Sequence, residues 1–231
     1  MLQDRKLPKT TLVFRKKFII NKIKNHKVMH IGCTGGLLDE DSIKQYKQNF
    51  IKEDDTHYKF SKYAKEISGL DISQNKIEFY KNNNMPGKYY VSDITSKDFL
   101  HEDIYDVVIF ANIIEHLDNV GQSLSNIKRM LNQNGQLIIT TSNAFDIKII
   151  LKMFMNYESV HKEHTAYYSY STLRRVLEMN GYYITEFHFA ENEGRKSETF
   201  INFIGDRFGR IFSFIFKQFS QDLALIAKLK E

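Results

Sequence analysis

Three glycines, Gly32, Gly35 and Gly36, fall within one short stretch, KVMHIGCTGGLL, and are the most pointed chemical feature of this chain. Val28, Met29 and Ile31 before them read as a short buried strand, which makes the glycines a turn at its carboxyl end. Glycine has no Cβ to collide with a ligand and tolerates positive φ, and the crevice beyond a parallel strand is where open α/β sheets hold nucleotides. Asp71 stands at the end of a second apolar run, Ile67 to Ile72, where one carboxylate can take the two vicinal hydroxyls of a ribose. Ser92-Asp93-Ile94 closes a third run; the polar pair can meet the exocyclic amine of an adenine, and Ile94 or Ile72 can pack on its ring. His116, His161 and His164 are the proton-transfer candidates, because imidazole titrates near neutrality. With Glu115 they also make a carboxylate and imidazole set of the kind several divalent ions accept.

These residues need a frame, and the apolar periodicity supplies one. Short apolar runs at Ile67–Ile72, Lys88–Val91, Asp106–Phe110 and Gln136–Thr141 read as further strands. They alternate with helical patterns at Ser42–Phe50, Thr56–Ala64, Ser73–Asn83 and Gln122–Leu131, an alternation that specifies a doubly wound parallel sheet. The unbroken apolar run DVVIF suits a strand covered on both faces. Ahead of the first strand, Thr11 to Lys27 carries Phe14, Phe18, Ile19 and Ile23 among Arg15, Lys16, Lys17, Lys22 and Lys24, which suits an amphipathic helix with a solvated basic face.

Composition excludes several classes. With 231 residues, 42% hydrophobic and 26% charged, the chain can build one sizeable core. The single Cys33 rules out a disulfide framework. The segment MLQDRKLPK lacks the apolar core of a secretion signal, and no apolar run is long enough to span a bilayer, so a cytoplasmic setting is expected. A net charge of +5 permits contact with anionic partners without naming one.

Taken in register, the blocks HIGCTGG, GLDIS, SDI, YDVVIFANIIEHL and LNQNGQLIITTSNAF resemble class I S-adenosylmethionine-dependent methyltransferases. VHKEHTAYYSYSTLRRVLEMNGY is similar to the downstream block of bacterial small-molecule methyltransferases of the sugar- or glycan-modifying type, and QDLALIAKL resembles the last, antiparallel strand of that family. The resemblance implies a Rossmann-like, mostly parallel seven-stranded sheet with an antiparallel last strand in a single domain. Residues 1–27 would be a helical lead-in, 28–190 the cofactor-binding core, 191–221 an aromatic insertion and 222–231 the last strand.

It also implies S-adenosylmethionine as cofactor, with Gly32, Cys33 and Gly36 facing its methionine and ribose portion. Asp71 and Ile72 would meet the ribose and its surroundings, Asp93 and Ile94 the adenine, and Asn112 would lie near the methyl group. His30 stands where the family carries an acidic residue, and Thr34 where it often has glycine; His30 can hydrogen-bond the same loop but cannot neutralise an ammonium. Methyl transfer to oxygen needs a base, for which His164 is preferred over His116. Metal-dependent RNA 3′-end methyltransferases, which use a similar carboxylate and histidine cluster, carry a glutamate where this chain has Asn112, so no metal is expected.

The implied acceptor is an oxygen of a sugar, glycan precursor or other small metabolite. Alternatives are an RNA or protein acceptor, or a non-catalytic binding protein on the same fold. A nucleic-acid acceptor is disfavoured by the lack of an Asn-Pro-Pro-Tyr block, a Pro-Cys nucleophile or an RNA-binding appendage. The aromatic stripe from Phe200 to Phe219 reads as core packing, a cover for the acceptor pocket or a peripheral membrane contact.

Overall fold

The computed structural model describes residues 6–36, 39–193, 209 and 211–230. Eight strands form one sheet: β1 (Leu12–Phe14), β2 (Lys27–Ile31), β3 (Glu66–Asp71), β4 (Lys88–Val91), β5 (Tyr105–Ala111), β6 (Leu131–Ser142), β7 (Tyr182–Glu191) and β8 (Asp222–Leu229). Their order across the sheet is β1-β7-β8-β6-β5-β2-β3-β4. β8 runs antiparallel to both β6 and β7, and the other pairs are parallel. Among the described residues, helices α1 (Arg15–Ile23), α2 (Glu40–Gln48), α3 (Thr56–Ser61), α4 (Gln74–Asn82), α5 (Val120–Met130), α6 (Ile147–Met153) and α7 (Tyr170–Met179) connect or flank them.

The doubly wound, mostly parallel architecture and the antiparallel strand Asp222–Leu229 match the expectation. The strand count does not: among the described residues there are eight strands rather than seven. The extra strand is β1, whose Leu12, Val13 and Phe14 pair with Phe189, Ala190 and Glu191 at the sheet edge. The Thr-Thr-Leu-Val-Phe run favours extended backbone, so the expected helix over Thr11–Lys27 begins only at Arg15, and Phe14 is an exposed strand residue rather than part of an apolar helix face.

Strand alternation sorts the core into two layers. Val28 of β2 and Val107 and Ile109 of β5 pack with Phe18, Ile19 and Ile23 of α1 and Phe60 of α3. Met29, Ile31, Val108 and Phe110 pack on the other face with Leu124, Ile127 and Met130 of α5 and Leu173 and Leu177 of α7. Each fully buried side chain of this size contributes roughly 1.5–3 kcal/mol of transfer free energy, so the central strands are held rigidly where their carboxyl ends meet the turn.

β6 begins at Leu131, which pairs with Tyr105 across a register shift, earlier than the expected Gln136. Of the aromatic stripe, residues 200–208 and Arg210 lie outside the described residues; Phe212 and Phe219 are half-buried and Ile215 is exposed. Among the described residues no helix is long and apolar enough to cross a membrane.

Candidate active site

The carboxyl ends of β2, β3, β4 and β5 converge on the glycine turn. Gly32, Gly35 and Gly36 take φ values of +68°, +55° and +70°. Gly32 donates its N–H to the Leu70 carbonyl at 2.8 Å, which seals the turn against the end of β3. A Cβ on Gly32 would come 2.2 Å from Cδ1 of Ile113, so only glycine lets the turn and the loop after β5 lie this close. A Cβ on Gly35 would meet nothing within 4 Å; the turn opens there onto the crevice.

Asp71 is buried and turned inward onto that loop. Its Oδ2 accepts the backbone N–H of Thr34 at 3.1 Å and the Thr34 hydroxyl at 2.7 Å, and its Oδ1 accepts the Ser73 N–H at 3.0 Å. A carboxylate has about four acceptor positions, so Oδ1 keeps capacity for a ribose hydroxyl. Thr34, which stands where glycine is frequent in the family, therefore braces the carboxylate. Lys76 of α4 donates to the Gly35 carbonyl at 2.7 Å. Burial pushes the Lys76 ammonium below its ordinary pKa, against the pull of Asp71, Glu163 and Asp39.

The other expected cofactor residues sort by their surroundings. Asp93 is half-buried, and its Oδ1 accepts the Thr95 N–H at 2.8 Å and the Thr95 hydroxyl at 2.7 Å, an arrangement that fixes the carboxyl at the end of β4. Ile72 is 52% exposed at the crevice mouth, whereas Ile94 is buried in the core and its carbonyl accepts the Asn126 amide at 2.7 Å. Cys33 is buried, with Sγ only 2.6 Å from where a Gly69 Cβ would be. Burial raises its thiol pKa well above the usual value, so Cys33 offers the crevice its backbone and not a thiolate.

His30 faces away from the turn into the layer beneath it. Its Nδ1 lies 3.1 Å from Nδ1 of His57, and the rings stack with centroids 5.3 Å apart. Burial depresses both imidazoles, His57 to about 4 and His30 well below its usual value, the latter also by the charge of its neighbour. Neutral His57 must donate from Nε2 to the Pro86 carbonyl at 3.2 Å, so its Nδ1 accepts and His30 donates.

After β5 the chain turns at Asn112, φ +53°, into a polar web. Asn112 Oδ1 accepts from Arg15 Nη1 at 2.7 Å and from the Thr140 hydroxyl at 2.8 Å, and its Nδ2 donates to Glu115 at 3.1 Å. The same Arg15 nitrogen donates to Asp222 at 2.9 Å. Burial raises the Asp222 carboxyl to about 6, in spite of Arg15. Glu115 is fully buried, its oxygens satisfied by Asn112, the Thr141 hydroxyl at 2.8 Å and the Ser142 N–H at 3.2 Å. Arg15, Asp222, Thr140 and Lys76 are site-forming residues that the sequence reading missed. The one available signal was the acidic Asp222 opening an otherwise apolar strand.

The expected bases are brought together. His116, His161 and His164 place one ring nitrogen each within 4.8 Å of the others. The His116 and His164 ring centroids are 4.7 Å apart, and His161 and His164 4.9 Å. Burial lowers the His164 pKa, with Glu115 opposing it. Lys162 on the same loop pairs with Asp39, the N-cap of α2, at 2.9 Å.

A buried carboxylate ending β3, a strand-to-loop turn needing positive φ and a switch point between β2 and β5 are the features with which open α/β sheets hold a nucleotide. A profile described as methyltransferase domain matches residues 5–186, and the chain belongs to that family. S-adenosylmethionine is the cofactor of this class.

Among curated relatives, the ubiquinone biosynthesis O-methyltransferase of Rickettsia akari is 29% identical over 157 residues, covering 61% of this chain and 55% of that protein. The chain thus spans about half the length of the curated relatives it matches. Among solved structures, an S-adenosylmethionine-dependent methyltransferase from Clostridium acetobutylicum superposes with TM-score 0.57 at 10% identity, covering 94% of this chain and 91% of that one. The magnesium protoporphyrin IX methyltransferase of Synechocystis, with bound S-adenosylhomocysteine, gives 0.55 at 12% identity, covering 94% and 82%. At these identities the two structures establish the shared fold.

Proposed function

We infer that the chain is an S-adenosylmethionine-dependent O-methyltransferase acting in the cytoplasm on a hydroxyl of a small metabolite. The observation that carries this reading is the inward-turned Asp71 carboxylate, braced by Thr34 of the glycine turn, with the imidazoles of His116, His161 and His164 gathered on the loop side of the same sheet edge. The donor set fits the cofactor: Asp71 Oδ1 for the ribose, the opening at Gly35 for the chain that joins ribose to methionine, Asp93 for the adenine amine and Ile72 for its ring. When bound, the cofactor supplies an electrophilic methyl group on a sulfonium.

The protein's own share is orientation and proton removal. Asn112, clamped by Arg15, Thr140 and Glu115, holds the loop after β5 in one shape at the place assigned to the methyl group. The acceptor proton passes to the imidazole cluster, with His164 the leading base and His116 second.

The curated relatives' names support an oxygen acceptor. An acceptor with an apolar body agrees with Phe145, Phe154, Tyr157 and Phe214, which are 54%, 82%, 69% and 57% exposed on the segments that follow β6 and precede β8. The described part of the aromatic stripe, residues 211–219, is proposed to add to that apolar cover and to touch a membrane when the acceptor is lipid-linked. A sugar or glycan precursor stays within the same reading.

Calorimetry with S-adenosylhomocysteine, followed by a screen of phenolic and sugar hydroxyls for S-adenosylhomocysteine release, tests it. Saturable binding that Asp71→Asn weakens is expected. Absence of binding, or binding indifferent to Asp71, would overturn the assignment.

A further inference from the structure

We propose that His116, His161 and His164 form a binding site for one divalent transition-metal cation of the zinc class, which presents the acceptor hydroxyl for methylation; the catalytic half of this rests on the reading above.

The cluster is assembled by backbone structure. His164 donates its N–H to the His161 carbonyl at 3.0 Å, closing a turn that sets both rings on one side. The next residue, Thr165, donates its N–H to the Glu115 carbonyl at 2.8 Å, and its hydroxyl donates to the carbonyls of Glu115 and Leu117. Those contacts fasten the loop to the residues on either side of His116. Two segments far apart in sequence are thereby locked so that one ring nitrogen of each of the three imidazoles lies within 4.8 Å of the others.

Two observations show that this cluster suits a ligand. Among the described residues, His164 Nδ1 is the buried side-chain nitrogen or oxygen atom with no hydrogen-bond partner, and such an atom calls for an explanation, an ion among them. Three ring nitrogens within 4.8 Å of one another also need only a modest closure to bind one ion, since Zn–N bonds of about 2.0–2.1 Å in a tetrahedron put nitrogens roughly 3.4 Å apart. Glu163 Oε2, 3.9 Å from His116 Nδ1, adds negative charge beside the cluster.

The donor set selects the ion. Imidazoles without thiolates suit zinc, cobalt and nickel and do not suit magnesium or calcium, which take oxygen ligands. Three protein ligands leave a fourth position open, the pattern of a catalytic rather than a structural ion. With the cation bound, His116 and His164 would serve as ligands in place of the base role given above: a hydroxyl in the open position would lose its proton to solvent, and the O–C bond would form as the S–C bond breaks. The bonding pair stays on sulfur, giving a thioether. The expectation of no metal rested on Asn112 occupying a ligand position; the folded chain gathers a different set that does not need Asn112.

The test uses the full chain, stripped with a chelator and titrated with Zn²⁺ by calorimetry and with Co²⁺ by visible absorption. One equivalent of saturable binding is expected, with a tetrahedral Co²⁺ band that Zn²⁺ bleaches. His116→Asn, His161→Asn and His164→Asn should each weaken it at least tenfold, whereas His101→Asn should not. S-adenosylhomocysteine binding, measured in every protein, reports folding and separately tests the methyltransferase reading.

No saturable uptake, or uptake that the three substitutions leave intact, would overturn the site. Turnover undiminished after stripping would overturn its catalytic role, and loss restored by Zn²⁺ or Co²⁺ would uphold it.

Discussion

The chain uses histidine in two opposite ways, at His30 and His57 beneath the glycine turn and at His116, His161 and His164 beside the loop after β5. The first pair is buried, stacked and closed: one nitrogen donates to Pro86, and the facing Nδ1 atoms share a single proton. The second group is half-exposed and leaves His164 Nδ1 without a partner. A satisfied polar group in a core costs little and stabilises one packing, whereas an orphaned one costs stability that only a ligand or substrate recovers. The same residue type therefore marks a structural joint in one place and a working site in the other.

Substitution breaks this comparison most sharply. His164→Ala should lower turnover by about 10²–10⁴-fold, the usual range for a group that handles the reacting proton, with S-adenosylhomocysteine affinity unchanged. His57→Ala should do the reverse. It opens a cavity and strands the His30 proton, costing about 3 kcal/mol, or a fall in Tm of about 6–12 °C for a chain of this size, with turnover at low temperature preserved. Full turnover in His164→Ala beside a dead His57→Ala would invert the assignment.

Asp71→Asn comes next. It removes the charge that Thr34 and Ser73 bond to, and hydrogen bonds to a charged group contribute about 1.5–3 kcal/mol. Affinity for S-adenosylhomocysteine should fall about 10–100-fold, read by calorimetry, while metal uptake at the histidine cluster stays unchanged.

Acid sharpens the contrast further. His57 has a folded pKa of about 4, below its unfolded value of about 6.5. The unfolded chain therefore binds more protons in that window, and stability is complete above the unfolded pKa and lost as pH falls toward 4. His30, also depressed, adds to the loss. Asp222, raised to about 6, acts with opposite sign between its unfolded pKa of about 3.9 and about 6, where it favours the folded state as pH falls. Asp55 and Glu191, also raised by burial, act with Asp222, so the histidine part of the slope, which lies between about pH 4 and 6.5, is read as the difference between the parent and the His57 variant. Denaturation of the parent and of His57→Phe, followed from pH 7 to pH 5, should show this difference, the parent losing more stability as pH falls.

The strands that carry the site were legible because each is an apolar run ending in a chemically distinct residue: Ile31 before the glycines, Asp71 after Leu70, Ala111 before Asn112. β1 was not, because Leu12, Val13 and Phe14 abut α1 and their apolar spacing also fits a helix. The polar web was not legible either. Arg15 meets Asp222 across 207 positions, and His30 meets His57 across 27, and side-chain hydrogen bonds of that range leave no periodic trace. The gathering of His161 and His164 beside His116 depends on Thr165 reaching the Glu115 carbonyl, again a contact that folding makes and spacing conceals.

The smallest effect concerns the tether between the two regions. Lys162, on the loop that carries His161 and His164, pairs with Asp39 at the start of α2, which follows the glycine turn. Both side chains are open to solvent, 59% and 44% exposed, and exposed pairs contribute little to stability. Lys162→Ala should therefore leave Tm within about 2 °C of the parent. A link across the crevice can still act on the acceptor side, since it limits how far the histidine loop swings from the turn. Acceptor KM should rise a few-fold in Lys162→Ala and, in the parent, with added salt, which screens exposed charges. An unchanged KM would mean that Thr165 alone holds the loop, and that the two halves of the crevice meet only through the sheet.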